Sequence, residues 1–221
     1  ISSLLFLLVL SLAIGADRGD VLGVPFITFL APGLISMQVI QQSFSHSSSS
    51  FMLGKIQGNI VDLLYAPLSA TEVTISVALA AVTRSVMIAI VSIIVFKLII
   101  NIEITNYLLL VIFTLLSSFI LGNIGIIAGL WAEKFDHMAT VTNFVIVPLS
   151  FLSGTFYSIE RLPEVLQIIS KANPFFYMID GFRYSFIGKA DGSVFVGLIY
   201  LSALSFVSWF VTYLLYKKGY K

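Results

Sequence analysis

The chain has 221 residues, of which 58% are hydrophobic and 10% charged, with a mean hydropathy of +1.04 and a net charge of +1. So apolar and so weakly charged a sequence belongs to an integral membrane protein rather than a soluble domain, and it lacks the basic surface of a nucleic-acid binder. With no cysteine, disulfides, thiol nucleophiles and cysteine-type metal sites are excluded.

The opening run, ISSLLFLLVLSLAIGA, has neither an initiator Met nor the basic n-region of a signal peptide. As a helix it would rise only ~24 Å against a hydrocarbon core of ~30 Å. The expectation is a first helix that begins before residue 1. After GADRGD comes a second apolar run, residues 25 to about 45, with Pro25 suited to a first helical turn and Ala31-Pro32-Gly33 marking a kink. HSSSS is expected to interrupt it. Further runs cover residues 73–98, 107–131, 141 to about 157 (with Pro148 inside) and 194–216. Each is near the ~20 residues needed to span a bilayer, so the chain reads as one all-α domain of six transmembrane helices.

Between the fifth and sixth runs lies a segment too charged to span. Residues 163–171 carry Glu164, Gln167 and Lys171 on one helical face and apolar residues between them. Asn173-Pro174 breaks this helix, because the residue before proline is pushed out of the α region. From Pro174 the pattern restarts: Phe175, Ile179, Phe182 and Phe186 form an apolar stripe, and Arg183 is placed to pair with Asp180 as a partly exposed pair. The two pieces rise only about 12 Å and 20 Å. They either dip into the membrane as a re-entrant hairpin from Pro163 onward, or lie on its surface as an anchor.

Catalytic chemistry finds no support. There is no G-x-x-x-x-G-K-[ST] loop and no G-x-S-x-G elbow, and His46 and His137 read as solvated loop residues without ligand clusters. Arg84 falls near the middle of a span, where a charge is expensive and function is the default reading. By depth, Gln38 and Asn123 could reach it; the alternative is a packing residue bonded to carbonyls. Gly125 and Gly129 form G-x-x-x-G beside Gly122, which suits close helix packing, or for Gly122 a sliding surface against a partner. No span centre carries Asp or Glu, which disfavours a proton-coupled carrier.

PLSFLSGTFYSIERLP followed by NPFFYMIDGFRYSFIG resembles the C-terminal signature of the type-2 ABC transporter permeases. SSFMLGKIQGNIVDLLYAPLSATEV and GLWAEKFDHMATVTNFVIVPLSFLSG resemble the same family's cytoplasmic segments, most closely those of small bacterial drug or carbohydrate permeases. The resemblance implies a permease subunit of an ABC exporter: a homodimer enclosing one pathway in the cell membrane, coupled to two separate ATP-binding subunits. It implies no cofactor in this chain, since ATP and Mg belong to the partner. It also implies cytoplasmic termini and an outer re-entrant hairpin, an orientation that counting Lys and Arg leaves undecided. Pro148 and Gly154 are read as helix-packing positions in this signature, and Glu133 and Lys134 as part of the ATPase-facing surface.

Residues 58–69, GNIVDLLYAPLS, are then the expected coupling helix. Asn59 suits its N-cap, Asp62 its first turn and Pro67 its end. Ile60, Leu63 and Leu64 give a short apolar face that needs a partner; a helix lying flat on lipid has the same pattern. The rival to the exporter reading is a stand-alone polytopic protein, a secondary carrier or scaffold, which would never co-purify with an ATPase.

Overall fold

The computed structural model describes Leu5, Leu7, Val9 and residues 19–59, 66–100 and 102–219. Ile60, Asp62, Leu63 and Leu64, the centre of the expected coupling helix, lie outside the described residues. Among the described residues the protein is helical, with one isolated bridge between Val21 and Val24 closing a turn. The long helices are α1 (Phe26–Gln57), α2 (Ala70–Ile100) and α3 (Tyr107–Trp131). A composite rod follows: α4 (Phe135–Val141), a π turn (Thr142–Ile146) and α5 (Val147–Leu152). A short 3-10 turn (Ile159–Arg161) leads to α6 (Glu164–Ala172), α7 (Pro174–Ile187) and finally α8 (Val194–Gly219). Among the described residues, four helical stretches are long and apolar enough to cross a membrane by length and composition: α2, α3, the α4–α5 rod and residues 194–218 of α8.

α1 runs unbroken for 32 residues through Pro32 and through HSSSS, where an interruption was expected. The serines satisfy their hydroxyls on the helix itself, so they need no loop: Ser48 Oγ donates to the Ser45 carbonyl at 3.3 Å and Ser49 Oγ to the His46 carbonyl at 3.2 Å, as Ser43 Oγ one turn earlier does to Val39 at 2.7 Å. They also let α3 come close. A Cβ added at Gly125 would lie 2.6 Å from the Phe44 carbonyl oxygen, and one at Gly129 would lie 2.8 Å from Phe51 Cβ. The G-x-x-x-G motif therefore packs α3 onto the serine-rich turn of α1, burying Ser47 and Ser48. Gly122 faces inward to Ala81 and Ala78 of α2, so within this chain it is a packing position.

Pro148 is housed by the π turn just before it. Proline lacks an N–H and its ring presses on the carbonyl four residues back, and a widened turn gives that carbonyl room. Gly154 follows the end of α5 in the left-handed region, at φ 75°, so it terminates the rod, where helix packing was expected. α2 starts with a capping box: Ser69 N donates to Glu72 Oε2 at 2.7 Å and Glu72 N donates to Ser69 Oγ at 3.2 Å.

The bundle has two distinct ends. At one, Lys55 near the end of α1 donates to the Leu130 and Ala132 carbonyls at the end of α3, and Phe51 meets Tyr216 of α8 edge-on, with ring centroids 6.3 Å apart. The α3–α4 turn with Glu133 and Lys134 lies at this end. At the other, the start of α3 joins the end of α7: Thr105 N and Asn106 N both donate to the Ser185 carbonyl at 2.9 Å.

Candidate functional site

Among the described residues, two polar constellations stand out in a largely apolar bundle. The first is a seam between α1 and α2 with three rungs. Ser92 Oγ donates to Gln38 Oε1 at 3.1 Å, Ser43 and Ser85 share a hydroxyl contact at 2.6 Å, and Arg84 Nη1 lies 3.0 Å from His46 Nδ1. The middle rung is fully buried, while Arg84 is exposed on the bundle surface. Gln38, Gln42, Ser45 and Ser49, spaced four, three and four residues apart, share a half-buried to exposed face of α1, with Gln41 and His46 beside it.

Arg84 was expected to point inward toward Gln38 and Asn123; it does neither. The packed face of α2 has the small residues Ala78, Ala81, Ser85 and Ala89 at its middle, with Val73 and Phe96 toward its ends, and Arg84 lies beside that arc, exposed. Asn123 is fully buried; its Nδ2 donates to the Phe119 carbonyl at 2.8 Å, while its backbone carbonyl accepts from Thr212 Oγ1 of α8 at 3.3 Å. The repeating small residues were the sequence signal for which face packs. His46 and His137 both lie on helices, where loops were expected: His46 bonds Arg84, and His137 stacks near Trp131 at 5.3 Å and receives the Glu133 N–H at 3.4 Å.

The second constellation holds the helical hairpin. The break falls at Asn173-Pro174 as expected, and Asn173 works in three directions. Its Oδ1 accepts from Phe175 N at 3.1 Å to cap α7, while its Nδ2 donates to Leu149 O at 3.0 Å and Ser153 Oγ at 2.8 Å on the rod. The two halves differ in environment. α6 leaves Val165, Ile168 and Ile169 exposed, whereas α7 is packed against α1, α3 and α8 with Phe175, Ile179, Phe182 and Phe186 all buried. Glu164 lies in the first turn of α6, and Pro163 precedes it as the N-cap.

Asp180 and Arg183 are buried rather than partly exposed, and each has its own partners. Arg183, 0% exposed, donates Nε to Phe29 O at 3.3 Å and Nη2 to Gly154 O at 2.7 Å and Thr155 O at 3.2 Å. Its guanidinium also covers the Phe29 ring, 3.8 Å from the centroid. Gly33 makes room, since a Cβ there would stand 2.8 Å from Arg183 Nη2 and 2.6 Å from Thr155 O. Asp180 accepts Asp191 N at 3.0 Å and Gly192 N at 2.9 Å. Asp191 in turn accepts Ser158 Oγ and, at 3.1 Å, Ile159 N. Burial pushes the Asp180 carboxyl up to about 6, against the opposing pull of nearby Arg183 and the two backbone donors. Asp191 and Ser158 had no sequence signal, because their partners are loop backbone groups with no periodicity.

Of the coupling residues, Asn59 and Pro67 flank the undescribed segment. Gly58, at φ 77°, ends α1 before Asn59, whose Nδ2 donates to Gln57 Oε1 at 3.2 Å. Glu133 and Lys134 are exposed on the same end of the bundle. Among the described residues no cluster of His, Asp and Glu could hold a metal ion.

A polar seam and a helical hairpin of two short helices thus sit in a largely apolar helical bundle. The family described as ABC-2 type transporter matches residues 1–187. The chain belongs to that family. This ABC-2 type transporter is 32% identical over 191 residues to the "Inner membrane transport permease YadH" of Escherichia coli (strain K12), covering 86% of this chain and 75% of the relative. It is 25% identical over 198 residues to "Nodulation protein J" of Rhizobium leguminosarum bv. viciae (86% and 74% covered) and 21% identical over 196 residues to the protein of the same name in Sinorhizobium fredii (strain NBRC 101917 / NGR234; 88% and 74%). The ABC-2 type transporter is thus a multi-pass membrane protein of transport function, with the apolar helices to match.

Proposed function

We propose that this chain is the inner-membrane permease subunit of an ATP-driven exporter, a homodimer that encloses one pathway and is driven by two separate ATP-binding subunits. The observation that carries the reading is the polar face of α1 with Arg84: Gln, Ser, His and Arg side chains at mid-span are stable only against water or protein, and a second copy would supply both. Six spans follow if residues before α1 form the first and α1, α2, α3, the rod and α8 the rest. The hairpin is then the outer, re-entrant element, and both termini are cytoplasmic. ATP and Mg act on the partner subunit; this chain contributes the two conformations and the route.

Residues 58–69, with Glu133 and Lys134, form the docking surface for the ATPase in this reading. Leu64→Asp tests it. An unpaired charge buried in a protein groove costs several kcal/mol, so the variant should insert normally yet lose the ATPase in pull-downs when the two are co-expressed. Normal co-purification and normal ATP hydrolysis with Leu64→Asp would remove this segment from the coupling role. A permease that never retains an ATPase, wild type included, would favour a stand-alone protein.

A further inference from the structure

We propose that the Arg84–His46 pair binds the anionic head of an amphiphilic cargo, an alkyl phosphate or carboxylate, within the pathway. The inference rests on the reading that the α1–α2 face lines that pathway. A guanidinium can only donate, so His46 Nδ1 accepts from Arg84 Nη1, and the neutral ring carries its proton on Nε2. The pair therefore keeps a full positive charge and several unused donors. Among the described residues it has no carboxylate partner; the nearest acid on α2 is Glu72, twelve residues away and engaged by Ser69.

Such a charge at mid-span persists where water or a counter-charge meets it. Ser45 and Ser49 add neutral hydroxyls on the same face. Farther along α2, Met87 and Val91 follow Arg84 at i+3 and i+7 and are 63% and 60% exposed, giving an apolar track for a tail that begins at the charged head. In a two-fold dimer the pair occurs twice around one pathway, which strengthens the attraction for an anion.

The test uses the full permease in phosphatidylcholine nanodiscs and two fluorescent probes with the same tail, a lysophosphatidic acid and a lysophosphatidylcholine. The wild type should bind the phosphate monoester at least about tenfold more tightly than the zwitterion, since the monoester brings a net negative head with three acceptor oxygens, whereas the phosphodiester of the zwitterion carries one charge offset by its own choline cation. Arg84→Gln should abolish the preference, Arg84→Lys should keep most of it, and Arg161→Gln, an exposed basic control, should keep all of it. His46→Phe retains the guanidinium and should weaken the preference partially, so the proposal stays testable if Arg84→Gln does not fold.

Equal binding of both probes by the wild type, or an undiminished preference in Arg84→Gln, overturns the proposal. Inorganic phosphate that fails to displace the probe supports an amphiphile site; displacement at equal concentration overturns that part and leaves a free-anion site. ATPase co-purification is read in parallel, so loss of the partner would count against the exporter reading without touching the binding result.

Discussion

Arg183 closes the hairpin end of the molecule. One fully buried guanidinium satisfies three carbonyls from two separate segments, Phe29 on α1 and Gly154 and Thr155 after the rod. Replacing it by Leu removes the donor shared by the buried Gly154 and Thr155 carbonyls, so thermal unfolding in detergent should show a loss of about 3 kcal/mol or more. Lys keeps the charge but not the fork and should fall between the two. An unchanged melting temperature for Arg183→Leu would refute this role. Asp180 makes a separate, pH-dependent contribution. Its folded value of about 6 exceeds the ordinary 3.8, so between these values the folded protein holds a proton that the unfolded chain has released. Stability contributed by Asp180 is therefore present at low pH and lost as pH rises through about 6. Lowering the pH from 7 to 5 should raise the melting temperature, and Asp180→Asn should abolish that rise; an identical rise in the variant would assign it to another group. Sequence placed both residues on the right helix but paired them with each other, because i and i+3 neighbours are visible in a sequence and the turns at 154–159 and 188–192 that engage them are not.

At the scale of elements, hydrophobic length carried most of the information. The third described helix, Tyr107–Trp131, matches its apolar run, and the hairpin breaks at Asn173-Pro174 because proline chemistry is local. α1 was misread at HSSSS for the opposite reason: serine looks like a loop residue until its hydroxyl bonds back to the helix, as at Ser48 and Ser49, and its small volume accommodates a neighbour. That neighbour is α3, and the contact is sensitive to a single methyl. Gly125→Ala should destabilise the protein by about 1 to 3 kcal/mol through overpacking against backbone. Gly122→Ala meets Ala81 Cβ at 3.2 Å and Ala78 only at an ordinary contact distance of 3.6 Å, and should cost less. Comparing the two melting temperatures checks this; equal losses would mean that the α1–α3 contact is no tighter than that between α3 and α2.

For the molecule as a whole, the membrane class and the family were legible from composition and from the motifs around the hairpin, whereas the orientation of individual polar side chains was not. Arg84 shows why. Depth along a helix follows from counting residues, but azimuth depends on which neighbours pack, and those neighbours come from distant sequence. Once α2 turns its Ala and Ser residues toward α1 and α3, Arg84 and the polar face of α1 are left on the outside of a single copy. In the proposed transporter this face borders water inside a dimer. The chain has no cysteine, so single-cysteine variants report cleanly. The most direct measurement is labelling by a membrane-impermeant maleimide in proteoliposomes, comparing Ser45→Cys on the polar face with Val207→Cys on the apolar face of α8. Ser45→Cys should react readily, at a rate that changes when the ATPase partner binds ATP, while Val207→Cys should stay unreactive. Equal protection of both positions, with and without ATP, would contradict a water-lined pathway at this face.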